Sequence, residues 1–132
     1  MRADRFAGWL LPLLGVIVVA AGFFAVGGIS SARMERRDLE RLESMYELEA
    51  CLIQQFSGRR PLVLPETLEA SSCASADYAR DPFSGQPFRY ERRSEQSFAI
   101  CAEFELKGRD YHSWQSIFEA ESGCMLTEIS VE

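Results

Sequence analysis

The sequence predicts an α+β protein in which an N-terminal transmembrane helix continues into a long amphipathic helix packed on a small antiparallel sheet of about three strands. Three observations carry that expectation. Residues 9–29 form a run of 21 without a charged, amide or hydroxyl side chain; residues 33–56 repeat their apolar positions at helical spacing; and from residue 81 onward the apolar residues alternate instead. Removing the apolar run and the eight residues before it from the 132-residue chain leaves roughly 100 residues, enough for one small domain and too few for a multi-domain enzyme.

The apolar run comes first. As a helix it is about 31 Å long, matching a hydrocarbon core of about 30 Å. Taking the helix to start at Trp9 puts Pro12 in its first turn, where a missing N–H costs little, and puts Trp9 at the interface. Arg2 and Arg5 before the run, with Ser30, Ser31 and Ala32 after it, also fit a cleavable signal peptide, but the run exceeds the usual signal core and favours a retained anchor. Ala21 and Ala25 form a small-xxx-small pair on which another membrane helix could pack. The expected organisation is a cytoplasmic tip over residues 1–8, the span over 9–29 and an extracytoplasmic domain over 30–132.

Two arguments compete over orientation. Arg33, Arg36, Arg37 and Arg41 follow the run and only Arg2 and Arg5 precede it, which by charge count alone would keep the domain in the cytoplasm. Against this, Cys51, Cys73, Cys101 and Cys124 all follow the run, and an even number in so small a domain points to two disulfides and an oxidising compartment. The cysteines outweigh an excess of two arginines, so the domain is expected outside the cytoplasm.

Residues 33–56 contain no Gly or Pro. On a helix, Leu39, Leu42, Met45, Tyr46, Ala50, Leu52, Ile53 and Phe56 share a broad face, opposite Arg36, Glu40, Glu43, Glu47 and Gln54, which are expected in solvent. Glu49 interrupts the apolar stripe and is placed at the rim of the core, a polar contact to the sheet being the alternative. With only Ser30, Ser31 and Ala32 between them, the two helices are expected to form one rod, bent at Gly27 and Gly28. Ser57 and Gly58 end it, Pro65 to Glu69 reads as one helical turn, and residues 71–77 read as a loop carrying Cys73. Residues 87–92 and 97–106 then alternate as a hairpin joined by 93–96, the second strand turning Phe98, Ile100, Ala102, Phe104 and Leu106 to one face and Glu103 and Glu105 outward. Residues 107–123 have no clear period, and 124–131 alternate as a last strand.

An apolar helix running into an amphipathic one, the Leu64-Pro65-Glu66-Thr67-Leu68-Glu69 turn, Asp81-Pro82-Phe83-Ser84-Gly85-Gln86-Pro87-Phe88-Arg89-Tyr90 and a short antiparallel sheet resemble type IV pilins and type II secretion pseudopilins. The same stretch, followed by Ser97-Phe98-Ala99-Ile100-Cys101-Ala102-Glu103-Phe104, is similar to membrane-anchored bacterial proteins with pilin-like domains. The resemblance covers residues 33–132 and implies a bacterial inner-membrane protein with a periplasmic domain. Family members carry a short basic leader and a Phe-Thr-Leu-Ile-Glu segment whose Glu serves filament assembly. Here the N-terminus reads Met-Arg-Ala-Asp-Arg-Phe-Ala-Gly-Trp, with no acid inside the apolar run, so the resemblance implies the fold and not the filament role.

Four cysteines allow three pairings. The resemblance favours Cys101 with Cys124, as neighbours in the sheet, leaving Cys51 and Cys73 to tie the helix to the loop after it. Spacings of 22, 28 and 23 residues match no zinc site, no Cys-x-x-Cys is present, and Asp110 and Glu119 match no calcium loop, so no metal or cofactor is expected. His112, the sole histidine, lies between Asp110 and Ser113, but side chains so close in sequence rarely converge on one reacting atom.

Residues 33–132 carry 12 Arg and Lys against 19 Asp and Glu, a net of about −7, which opposes nucleic-acid binding. The expected role is non-enzymatic: a disulfide-stabilised interaction or assembly domain held at a membrane, which the resemblance links to a secretion or pilus-like system, with lipid and membrane-associated proteins as partners and no small-molecule substrate evident. The alternatives are an accessory subunit of a larger membrane complex, and a periplasmic enzyme with its site in residues 107–123.

Overall fold

The computed structural model describes residues 3–25, 28–111 and 116–130, with side chains from Gly8 onward. The chain divides into two compact units, Met1–Met34 and Glu35–Glu132, which are taken in turn.

The first unit holds helix α1 (Ala3–Ala25) and the start of helix α2 (Gly28–Phe56). The side chains described in α1 are all exposed, Trp9 at 79% and Phe24 at 86%. Water does not favour an apolar surface of that extent, whereas hydrocarbon does, and the helix is long and apolar enough to cross a bilayer. Because α1 begins at Ala3, Pro12 lies inside it rather than in a first turn, so the helix lacks the bond that an N–H at position 12 would make to the Gly8 carbonyl. The bend expected at Gly27 and Gly28 falls half outside the described residues. Gly28 itself has φ +69°, a left-handed value that right-handed helix excludes and that glycine adopts without strain.

In the second unit, α2 buries Asp38, Arg41, Leu42, Met45, Leu48, Glu49, Leu52 and Phe56, at spacings of three, one and four residues. This differs from the expected stripe. Leu39 and Ala50 are exposed, while Leu48 and the charged residues Asp38, Arg41 and Glu49 face inward. The four-stranded antiparallel sheet runs β1 (Arg89–Arg92), β2 (Ser97–Cys101), β4 (Cys124–Glu128) and β3 (Ile117–Glu119), in that spatial order. The fourth strand, β3, arises from the stretch without a clear period; three residues are too few to show alternation. Strand β2 ends at Cys101 and not at Leu106, because the chain beyond it turns so that the N–H groups of Glu105 and Leu106 donate to Asp38.

Phe98, Ile100 and Met125 are fully buried against Met45, Leu48, Leu52 and Leu64. Phe104, Tyr111 and Phe118 form a ring cluster with centroids 5.3–5.4 Å apart. Residues 68–79 form three short 3-10 turns, Leu68–Ala70, Ser72–Ser75 and Asp77–Ala79, in place of one turn and a loop. Two disulfides close the domain. Cys51 to Cys73 ties α2 to the second of these turns, and Cys101 to Cys124 joins directly opposed residues of β2 and β4.

At Gly123, φ is +66° and a Cβ would lie 2.4 Å from the backbone oxygen of Ala102. A backbone atom cannot swing aside as a side-chain tip can. Gly123→Ala should therefore lower stability by about 2 kcal/mol or more, through strain and through loss of the Ala102 N–H bond to the Gly123 carbonyl, read as a lower melting temperature.

Candidate interaction site: a buried ion network beside an open slot

The polar inner face of α2 organises a network of two arginines and three carboxylates. Arg41 Nη1 donates to Asp38 Oδ1 at 2.9 Å and to Glu105 Oε1 at 3.3 Å, and its Nε donates to Asp81 Oδ2 at 2.8 Å. Arg37 grips Glu105 with two bonds, of 2.8 and 2.6 Å. Asp38 is fully buried and accepts the Glu105 and Leu106 N–H groups as well. Such a charge is tolerable inside only because every contact is a charge-assisted or backbone hydrogen bond. Arg37 and Arg41, expected as flanking charge, and Glu105, which stays exposed as expected, thus act as structural members.

Asp81 connects this network to the Asp-Pro-Phe-Ser-Gly stretch. Its Oδ1 accepts the N–H groups of Phe83 and Ser84, closing the turn, while Oδ2 receives Arg41. Burial pushes the Asp81 carboxyl up, but these backbone N–H groups and the Arg41 guanidinium more than reverse it, leaving its pKa below the ordinary value. Glu105 is likewise lowered, first by its hydrogen bond from Arg37. Burial disfavours charge on Arg41, yet bonds and charges from Asp81, Glu105 and Asp38 raise its pKa. The Arg41 guanidinium also lies 5.0 Å from the centre of the Phe83 ring, which remains 44% exposed.

Beside this turn lies a half-open slot of about 680 Å³, walled by Ser84, Gln86, Pro87 and Phe88 on one side and by residues 101–105 on the other, with Arg41 and Asp81 also facing it. The sheet register explains the opening. Arg89 opposes Cys101, so a continued ladder would set Pro87 against Glu103. Instead Pro87 bridges to Arg80 on its far side and Phe88 N–H donates to the Ala79 carbonyl. Proline offers no N–H to close the ladder, and the two extended segments part.

Glu49 is buried, not at the rim, and its partner is the Thr127 hydroxyl on β4, 2.5 Å from Oε1, rather than an arginine. Burial raises its pKa and the Thr127 bond only partly opposes this. The unfolded chain therefore releases this proton first as pH rises. The group favours folding below the ordinary glutamate range and costs stability progressively as pH climbs through the raised folded value. Glu49→Gln should stabilise the domain by about 1 kcal/mol at pH 8 and hardly at all at pH 4, measured by thermal unfolding at both.

Ala21 and Ala25 are exposed on one face of α1. All four cysteines are consumed in disulfides. Among the described residues no three His, Cys, Asp or Glu side chains are placed to hold a metal ion. His112 and Ser113 lie outside the described residues. Comparison of the chain with protein-family models, curated proteins and solved structures finds no match.

Proposed function

We propose that this chain is a non-enzymatic, single-span protein of a bacterial inner membrane that presents a disulfide-stabilised, pilin-like domain to the periplasm as an interaction or assembly module. The observation that carries the reading is the join of a helix exposed and apolar from Trp9 onward to a domain whose four cysteines form two bonds. The order of long helix then antiparallel sheet, with the Asp81 turn between them, supports the pilin-like part. The arginine count after the span weighs less against a periplasmic domain once Arg37 and Arg41 have a structural use in the ion network.

Photo-crosslinking in cells tests the role. A light-activated residue placed singly at the exposed positions Glu43, Phe83 and Glu121 should yield adducts with another protein. Adducts confined to the same residue at Ala21 or Ala25 would replace this reading with that of an accessory subunit held through its anchor.

A further inference from the structure

The slot beside the Asp81 turn is an interrupted sheet. In the β1–β2 hairpin the Arg93 N–H donates to the Ser97 carbonyl, and Arg89 opposes Cys101. Counting on by twos, the period of ladder bonding, brings the next pair to Pro87 and Glu103. A ladder continued to that pair would turn the N–H and C=O of Glu103 toward the slot, which Glu103 lines. No hydrogen bond or ion pair engages Glu103 among the described residues, by backbone or side chain.

The charges lining the slot also have an imbalance. Arg41 is held through Nε and Nη1 by Asp38, Asp81 and Glu105, and Arg89 at the rim pairs at 3.1 Å with Glu91, which Arg93 shares. Glu103 has no such match, and it adds to a network in which two arginines already face three carboxylates. Phe83 stands at the adjoining turn, half-exposed and fixed from below by Arg41 and Asp81, as an aromatic contact held at little entropic cost.

We propose that the slot receives an extended segment of a partner protein, which adds a short strand against Glu103 and sets one lysine or arginine beside the Glu103 carboxylate. Main-chain bonds to the open edge supply affinity and the cation supplies selectivity, the division of labour usual when a strand is added to a sheet. This inference rests on the interaction-module reading and names its site.

The test uses the full chain in lipid nanodiscs and a phage library of random linear nine-residue peptides. Selected peptides should carry a Lys or Arg flanked by strand-forming residues. A synthetic one should shift the amide resonances of residues 87–89 and 102–105. Glu103→Lys, at an exposed position with no partner to lose, should weaken it at least tenfold, and Glu103→Gln less. No enrichment, binding unchanged by Glu103→Lys, or shifts mapping elsewhere would overturn the proposal. So would a concentration-dependent dimer of the chain that Glu103→Lys dissolves, since the occupant would then be a second copy. If the slot fails while crosslinks from Glu43, Phe83 and Glu121 persist, the site is wrong and the interaction role stands; loss of those crosslinks removes the role itself.

Discussion

Replacing Arg41 with methionine should destabilise the extramembrane domain by about 3–5 kcal/mol, the range for removing one partner of a buried ion pair. Methionine fills much of the arginine stem's volume, so most of the loss comes from charge. Asp38, fully buried, would keep two backbone N–H donors but lose its cation, and Asp81 would lose the bond that draws its turn onto α2. The amides of Phe83 and Ser84, which donate to Asp81, should exchange faster with solvent than those of β2. Adding Asp38→Asn to Arg41→Met should recover part of the stability, because the uncompensated charge disappears while one side-chain acceptor remains. Arg36→Met is the contrast. Its pair with Glu40 spans one helical turn with the arginine side chain 84% exposed, and its loss should move stability by less than about 0.5 kcal/mol. Chemical unfolding of the four proteins in the same detergent reads all these differences.

Removing either disulfide by paired alanine substitution should cost about 3 kcal/mol. The two bonds close loops of 22 and 23 residues, so the chain-entropy contribution is nearly equal for both. Their local consequences differ. Cys101 and Cys124 already face each other in the β2–β4 ladder, which persists through its backbone bonds when the sulfurs are gone. Cys51 and Cys73 join α2 to a run of 3-10 turns with no ladder of its own. Cys51→Ala with Cys73→Ala should therefore release residues 68–79 to proteolysis at temperatures where the sheet survives. Cys101→Ala with Cys124→Ala should lower the global melting temperature without that early cleavage. Limited proteolysis along a thermal ramp separates the two outcomes.

These residues also show what sequence reasoning reaches in this chain. The apolar run, the amphipathic helix and the alternating β2 were legible because each repeats a period over enough residues for pattern to exceed chance. Periodicity assumes that apolar means inside, and that assumption failed at the first turns of α2, where Leu39 is exposed and Asp38 and Arg41 are buried. Only the partners, Asp81 and Glu105, some 40 and 64 residues further on from Arg41, make that inversion stable, and no local pattern announces them. Glu49 broke the stripe visibly, yet Thr127 could not be named as the donor to its carboxylate without knowing the register of β4. Strand β3 was too short to alternate, and β2 stopped early for a contact to α2 that its own alternation conceals. The slot had one legible cause, the proline two residues before β1. Its position opposite Glu103 depends on the hairpin register, and the turn chemistry alone does not fix that.

A disulfide-pinned domain held on the far side of the membrane by one apolar helix, as we propose, is open to protease from outside the cell. Protease added to intact spheroplasts tests it most directly, with the chain carrying an epitope after Glu132 and a cytoplasmic protein followed as control. The epitope should be lost while the control survives, and the material before digestion should show no free thiol until a reductant is added. An epitope protected until the cells are lysed, with four thiols open to alkylation, would contradict it.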